Sequence, residues 1–75
     1  MRKWLVEARK SKGMTQLEVA KVIGITESYY GYIENGERQK KMDIALAAKL
    51  SVIFGIPIER IVELERGESE KTEDA

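Results

Sequence analysis

Five residues near the middle of the chain have types and spacing suited to recognition. On a helix turning 100° per residue, Glu27, Ser28, Gly31, Tyr32 and Asn35 share one side. A carboxylate, a hydroxyl, a phenol and an amide on one face suit hydrogen bonding to the polar edge of a partner. Bond-making chemistry fits the chain poorly. Its 75 residues include no histidine and no cysteine, which removes the commonest general base, the commonest metal ligand and any thiolate site. No phosphate-cradling loop, zinc-ligand spacing or Ser/His pair is present, and the carboxylates are scattered along polar faces. The expectation is therefore no enzyme, no cofactor, no metal and no small-molecule ligand.

Two short helices must hold that face. Thr15 is placed to N-cap the first, and Glu18 three residues on completes a capping box. Gly24 ends it where a left-handed cap favours glycine. Thr26 N-caps the second helix and Gly36 stops it. Val19, Ala20 and Ile23 make the inward stripe of the first, Tyr30 and Ile33 that of the second, and Tyr29 lies between the two faces. A helix, a short glycine-containing turn and a second helix form the unit that sets its second member in a DNA major groove. Gly31 costs about 1 kcal/mol against alanine in a helix. A partner's backbone could use the gap, or the position could simply be unoptimised; the residues alone leave both open.

Flanking elements follow from the same rules. Residues 2–12 read as a first helix with Trp4, Leu5 and Ala8 inward, ended by Gly13. Arg9 falls near that stripe, and a charge turned toward a core needs a partner, for which Glu34 is the obvious choice. After a polar loop carrying Arg38, Lys40 and Lys41, Asp43 caps a helix to about Phe54, with Ala47, Leu50, Ser51 and Phe54 at i, i+3, i+4, i+7. Ile44, Leu46, Val52 and Ile53 make that helix apolar over most of its circumference. It should be the most buried helix, or share its outer side with a partner. Pro57 starts a last helix with Ile58, Ile61 and Val62 inward and Leu64 displaced. Residues 66–75 are polar and charged and read as a disordered acidic tail, leaving one domain over 1–65.

A chain of this length buries only about 60% of its unfolded surface, so dimerisation would help it. The net charge is zero but unevenly spread. Residues 1–41 hold nine Lys/Arg against five Glu, a net +4, and the remainder holds four against eight, a net −4. The positive half is the one with the paired helices, where phosphates would lie. No apolar run is long enough for a signal-peptide core or a membrane span, so a cytoplasmic protein with no membrane partner is expected.

The stretches ARKSKGMTQLEVAKVIGIT and YIENG resemble the phage-repressor type of helix-turn-helix, the Cro/lambda-repressor-like family of bacterial regulators. The likeness runs from about Leu5 to Val62. Arg9, Gly13, Thr15, Gln16, Ala20, Gly24, Ile33, Glu34, Asn35 and Gly36 each match the family's pattern. The resemblance implies a five-helix all-α domain that binds double-stranded operator DNA, usually as a homodimer. It also implies that Arg9 and Glu34 pair inside the fold as a structural ion pair. Gln16, Glu27, Ser28 and Tyr32 match positions that reach DNA, and Arg38, Lys40 and Lys41 lie in the loop that meets phosphate. Two features depart from the pattern. The segment 37–43 is about two residues longer than the common spacing and lacks its proline, and Glu27 stands where neutral or basic residues are frequent.

Residue chemistry agrees with these positions and keeps some alternatives. Gln16 can donate and accept at a helix N-terminus, where free N–H groups suit phosphate; Thr15 and Asn35 are further phosphate candidates. Glu27 could accept from cytosine N4 or only complement the helix dipole. Ser28 reads bases poorly and suits phosphate or water. Tyr32 could pack on a thymine methyl, bond phosphate, or rest on the surface. Val52, Ile53, Ile58 and Leu64 are candidates for a dimer face, with ordinary core packing as the alternative for each. The function expected is a sequence-specific transcriptional regulator, most simply a repressor on a near-palindromic operator. The alternative is a protein-interaction module of the same fold, such as an antitoxin or anti-repressor partner.

Overall fold

The computed structural model describes residues 1–36 and 42–74, with 68–74 described as backbone only. Five helices follow in order: α1 Lys3–Ser11, α2 Gln16–Ile23, α3 Glu27–Asn35, α4 Ile44–Phe54 and α5 Ile58–Asp74. No strand occurs among the described residues. The chain forms two compact units, Met1–Met42 and Asp43–Ala75.

In the first unit α3 packs against both α1 and α2. Trp4 and Leu5 from α1, Val19, Ala20 and Ile23 from α2, and Tyr30 and Ile33 from α3 are buried. Each helix boundary has a local cause. Thr15 Oγ1 accepts the Glu18 N–H at 3.1 Å while Glu18 Oε1 accepts the Thr15 N–H at 2.8 Å, closing the capping box. The Thr15 N–H, with the Thr15 hydroxyl beside it, holds the Glu18 carboxyl below its ordinary pKa. Gly24 ends α2 with φ +78°, and Ile25 N–H reaches back to the Ala20 carbonyl at 3.0 Å. Thr26 Oγ1 then accepts the Tyr29 N–H at 3.1 Å and starts α3.

In the second unit Asp43 Oδ1 caps α4 through the Leu46 N–H at 2.7 Å. Leu46, Ala47, Leu50 and Phe54 are buried with Ile61 of α5. Ser51 Oγ donates to the Ile56 carbonyl at 2.6 Å, which satisfies the turn between these helices. The Pro57 carbonyl accepts the first α5 bond, from Ile61 N–H at 3.1 Å.

Three expectations differ from what is observed. The backbone is helical to Asp74, so residues 66–74 continue α5 where a disordered tail was expected. Glu, Arg and Lys are good helix formers and no proline interrupts them; low apolar content limits packing, not helical backbone. Val62, expected inward, is half exposed, because the inward stripe runs through Ile61 with Ile58 and Leu64 half-buried beside it. Of the two readings of α4, burial all round does not hold, since Ile44 and Val52 are 82% and 84% exposed; an outer side shared with a partner is the branch left.

Candidate nucleic-acid interface

The fully buried Tyr30 and Ile33 fix the rotation of α3 within the first unit. Their burial turns Glu27, Ser28, Tyr32 and Asn35 outward, all exposed, with Gly31 half-buried between them. Tyr29 is 37% exposed and Tyr32 40%, so one edge of each ring rests on the protein and the other meets solvent.

Behind this surface lies a polar cluster drawn from all three helices. Arg9 Nε of α1 donates to Glu34 Oε2 of α3 at 2.6 Å, and Arg9 Nη2 donates to Oε1 at 3.3 Å. The two side chains are only 14% and 5% exposed. Arg9 Nη1 also donates to the Met14 carbonyl at 3.0 Å, tying α1 to the segment that enters α2. Gln16 Nε2 of α2 donates to Glu34 Oε1 at 3.0 Å. Burial pushes the Glu34 carboxyl up, but the hydrogen bonds from Arg9 and Gln16 outweigh it and hold the group below the ordinary carboxylate range. Burial pushes the Tyr30 phenol up, beside the same pair. Its hydroxyl is buried near the Glu34 carboxylate and makes no hydrogen bond of acceptable geometry among the described residues.

Arg2 escaped the sequence reading. It is buried, its Nη1 donates to the Ile33 carbonyl at 2.6 Å, and its backbone N–H donates to the Glu34 carbonyl at 2.7 Å. A cation at these carbonyls complements the negative end of the α3 dipole. One trace of this was available: α3 has no basic residue in its own last turn.

Gln16, Ser28, Gly31, Tyr32, Glu34 and Asn35 line one open cleft of about 450 Å³, with Met1 at its rim. The fold thus brings together three of the four candidates for base contact, Gln16, Ser28 and Tyr32, and the phosphate candidate Asn35. Glu27 is exposed in the first turn of α3 but does not line the cleft. The Thr15 hydroxyl oxygen is engaged as the α2 cap, and its side chain is otherwise exposed. Arg38, Lys40 and Lys41 lie outside the described residues. Of the dimer candidates, Val52 is exposed, whereas Ile53, Ile58 and Leu64 are half-buried.

Among the described residues no group of His, Cys, Asp or Glu is arranged to hold a metal ion, and no helix is long and apolar enough to cross a membrane. What the cleft can do is exchange hydrogen bonds with a polar surface that fits between the start of α2 and the outer face of α3.

Comparison with known proteins points the same way. A family model described as helix-turn-helix matches residues 5–61. A relative in Bacillus subtilis (strain 168), the uncharacterized HTH-type transcriptional regulator YqaF, is 49% identical over 45 residues. That stretch is 60% of this chain and 59% of the relative, so the match spans less than two thirds of the relative's length. No solved structure matches the chain. With its five helices and a family match over most of its length, the chain belongs to the Cro/C1-type helix-turn-helix family of DNA-binding transcription regulators.

Proposed function

We propose that the chain is a sequence-specific DNA-binding transcriptional regulator, acting as a repressor. Two copies would place paired α3 helices in half-sites about 34–36 Å apart on a near-palindromic operator. The observation that carries this reading is the open cleft. Gln16, Ser28, Tyr32 and Asn35 bring their hydrogen-bonding groups to it from a capped helix pair. In the proposed complex Ser28 and Tyr32 meet base edges from α3, Gln16 joins them from α2, and Glu27 accepts from a cytosine amino group. Thr15 and Asn35 meet phosphate, together with Arg38, Lys40 and Lys41 of the following loop. Ile44, Ala48 and Val52 are exposed at i, i+4 spacing on α4 and form an apolar stripe suited to a second copy.

Titration of labelled DNA flanking the protein's own gene, over a salt series, tests the proposal. Log affinity should fall linearly with log salt, with a slope of about −0.9 per phosphate contacted. Tyr32→Ala should weaken binding, and Val52→Glu should shift the sedimentation coefficient toward a monomer. Absence of salt-dependent DNA binding would remove the regulator reading and leave a protein-interaction module.

A further inference from the structure

The amide in the cleft is not free to turn over. A glutamine side chain carries a donor at one end and an acceptor at the other, and in solvent it offers either. Here Gln16 Nε2 lies 3.0 Å from Glu34 Oε1. An ionised carboxylate only accepts, so the nitrogen end must face it. Glu34 cannot rotate away, because its other oxygen is held by Arg9 at 2.6 Å and the side chain is 5% exposed. The carbonyl oxygen of Gln16 is thereby sent toward α3. The position it approaches is Gly31, where a methyl group would stand 4.0 Å from Oε1. Gly31 has no positive φ and no close neighbour that demands glycine, so what its missing side chain provides is an unobstructed view of that oxygen from the cleft.

We infer that Glu34 is a positioning residue that makes Gln16 a one-way reader, presenting its carbonyl oxygen past Gly31 to an exocyclic amino group of a base. In the major groove the amino groups are adenine N6 and cytosine N4. The ion pair then sets which end of a half-buried amide meets the ligand, in addition to joining α1 to α3. This inference rests on the cleft being the DNA-facing surface.

Two measurements separate the positioning from the DNA reading. The first uses the free wild-type protein and amide-resolved NMR of the Gln16 side chain. Its two Nε2 protons should be well separated, and they should shift as Glu34 is protonated below the ordinary carboxylate range. Arg9 from α1 and the Tyr30 phenol, the other groups around Glu34, hold their charge state throughout that range. Glu18, the acid on α2, is removed as a source by repeating the titration in E18Q, where the shift should persist. An averaged amide, or one blind to that titration, overturns the positioning.

The second measurement takes a DNA site selected from a random pool by the full chain. Adenines are replaced singly by purine and cytosines by pyrimidin-2-one, each lacking its amino group. One replacement leaves the Gln16 oxygen unsatisfied in the complex and should weaken binding about 5- to 150-fold, and Gln16→Met should erase that loss. The base that responds identifies which amino group is read. Uniform tolerance of every replacement, or losses unchanged in Gln16→Met, overturns the amino-group assignment. Failure to select any site overturns both that assignment and the regulator reading, while the NMR result still decides whether Glu34 positions Gln16.

Discussion

Replacing Gly31 with alanine should make the protein more stable and a worse DNA binder. The position lies inside α3 with ordinary helical backbone, and the nearest atom to an added methyl is Gln16 Oε1 at 4.0 Å, a normal van der Waals distance. Nothing must move, so the helix gains the propensity difference of about 0.8–1.0 kcal/mol. For a domain of this size 1 kcal/mol is worth about 4–8 °C in melting temperature. The same methyl enters the cleft shared by Ser28, Tyr32 and Asn35. Crowding a fitted interface by one carbon costs about 1–3 kcal/mol, a 5- to 150-fold loss of affinity. No charge changes, so the salt slope should be that of wild type. Thermal melting by circular dichroism and a fluorescence-anisotropy titration read the two effects separately. Gly67→Ala is the control: it also sits in a helix with nothing within 4 Å of the added carbon among the described residues, and it does not line the cleft, so it should stabilise without changing affinity. Unchanged or tighter DNA binding by Gly31→Ala would refute the idea that DNA approaches this gap.

The polar cluster yields three more expectations. Glu34→Ala leaves Arg9 buried without its carboxylate and should cost about 3–5 kcal/mol, a large part of the roughly 4–11 kcal/mol available to a chain this long; urea unfolding measures it. Tyr30→Phe removes a buried hydroxyl that makes no well-formed hydrogen bond among the described residues, and should leave stability within about 1 kcal/mol of wild type or raise it, read in the same assay. Because the folded state holds Glu34 below its unfolded pKa of about 4.3, its stabilisation is complete above that value and is lost as pH falls through the lower, folded one. Urea midpoints taken from pH 6 downward should drop in that window, and Glu34→Gln should flatten the drop.

The caps were legible in the sequence because each rests on a local rule. Thr15 with Glu18, Thr26, Asp43, and the glycines at 24 and 36 all stand where side-chain acceptors or left-handed backbone are needed. The outward face of α3 followed from the burial of Tyr30 and Ile33, which is periodicity alone. The pairing of Arg9 with Glu34 could be argued from an inward charge in search of a partner. The Arg2 and Gln16 bonds could not, since they join residues 31 and 18 positions apart and depend on how α1 and α2 meet α3. The extent of α5 was misjudged for a different reason. Hydrophobic content reports what a segment can bury, whereas the course of its backbone to Asp74 depends on propensity, which Glu and Lys supply. Ile58, Ile61 and Val62 are equally compatible with one stripe by spacing, and only the packing shows it turning toward Leu64, half-buried, and away from Val62.

The fastening of Arg2 to the end of α3 has a practical consequence for handling the protein. With Met1 lining the cleft and Arg2 pinned to the Ile33 and Glu34 carbonyls, anything fused ahead of Met1 would emerge beside the cleft proposed to meet DNA. An affinity tag placed there would compete with a DNA ligand for the space in front of the cleft.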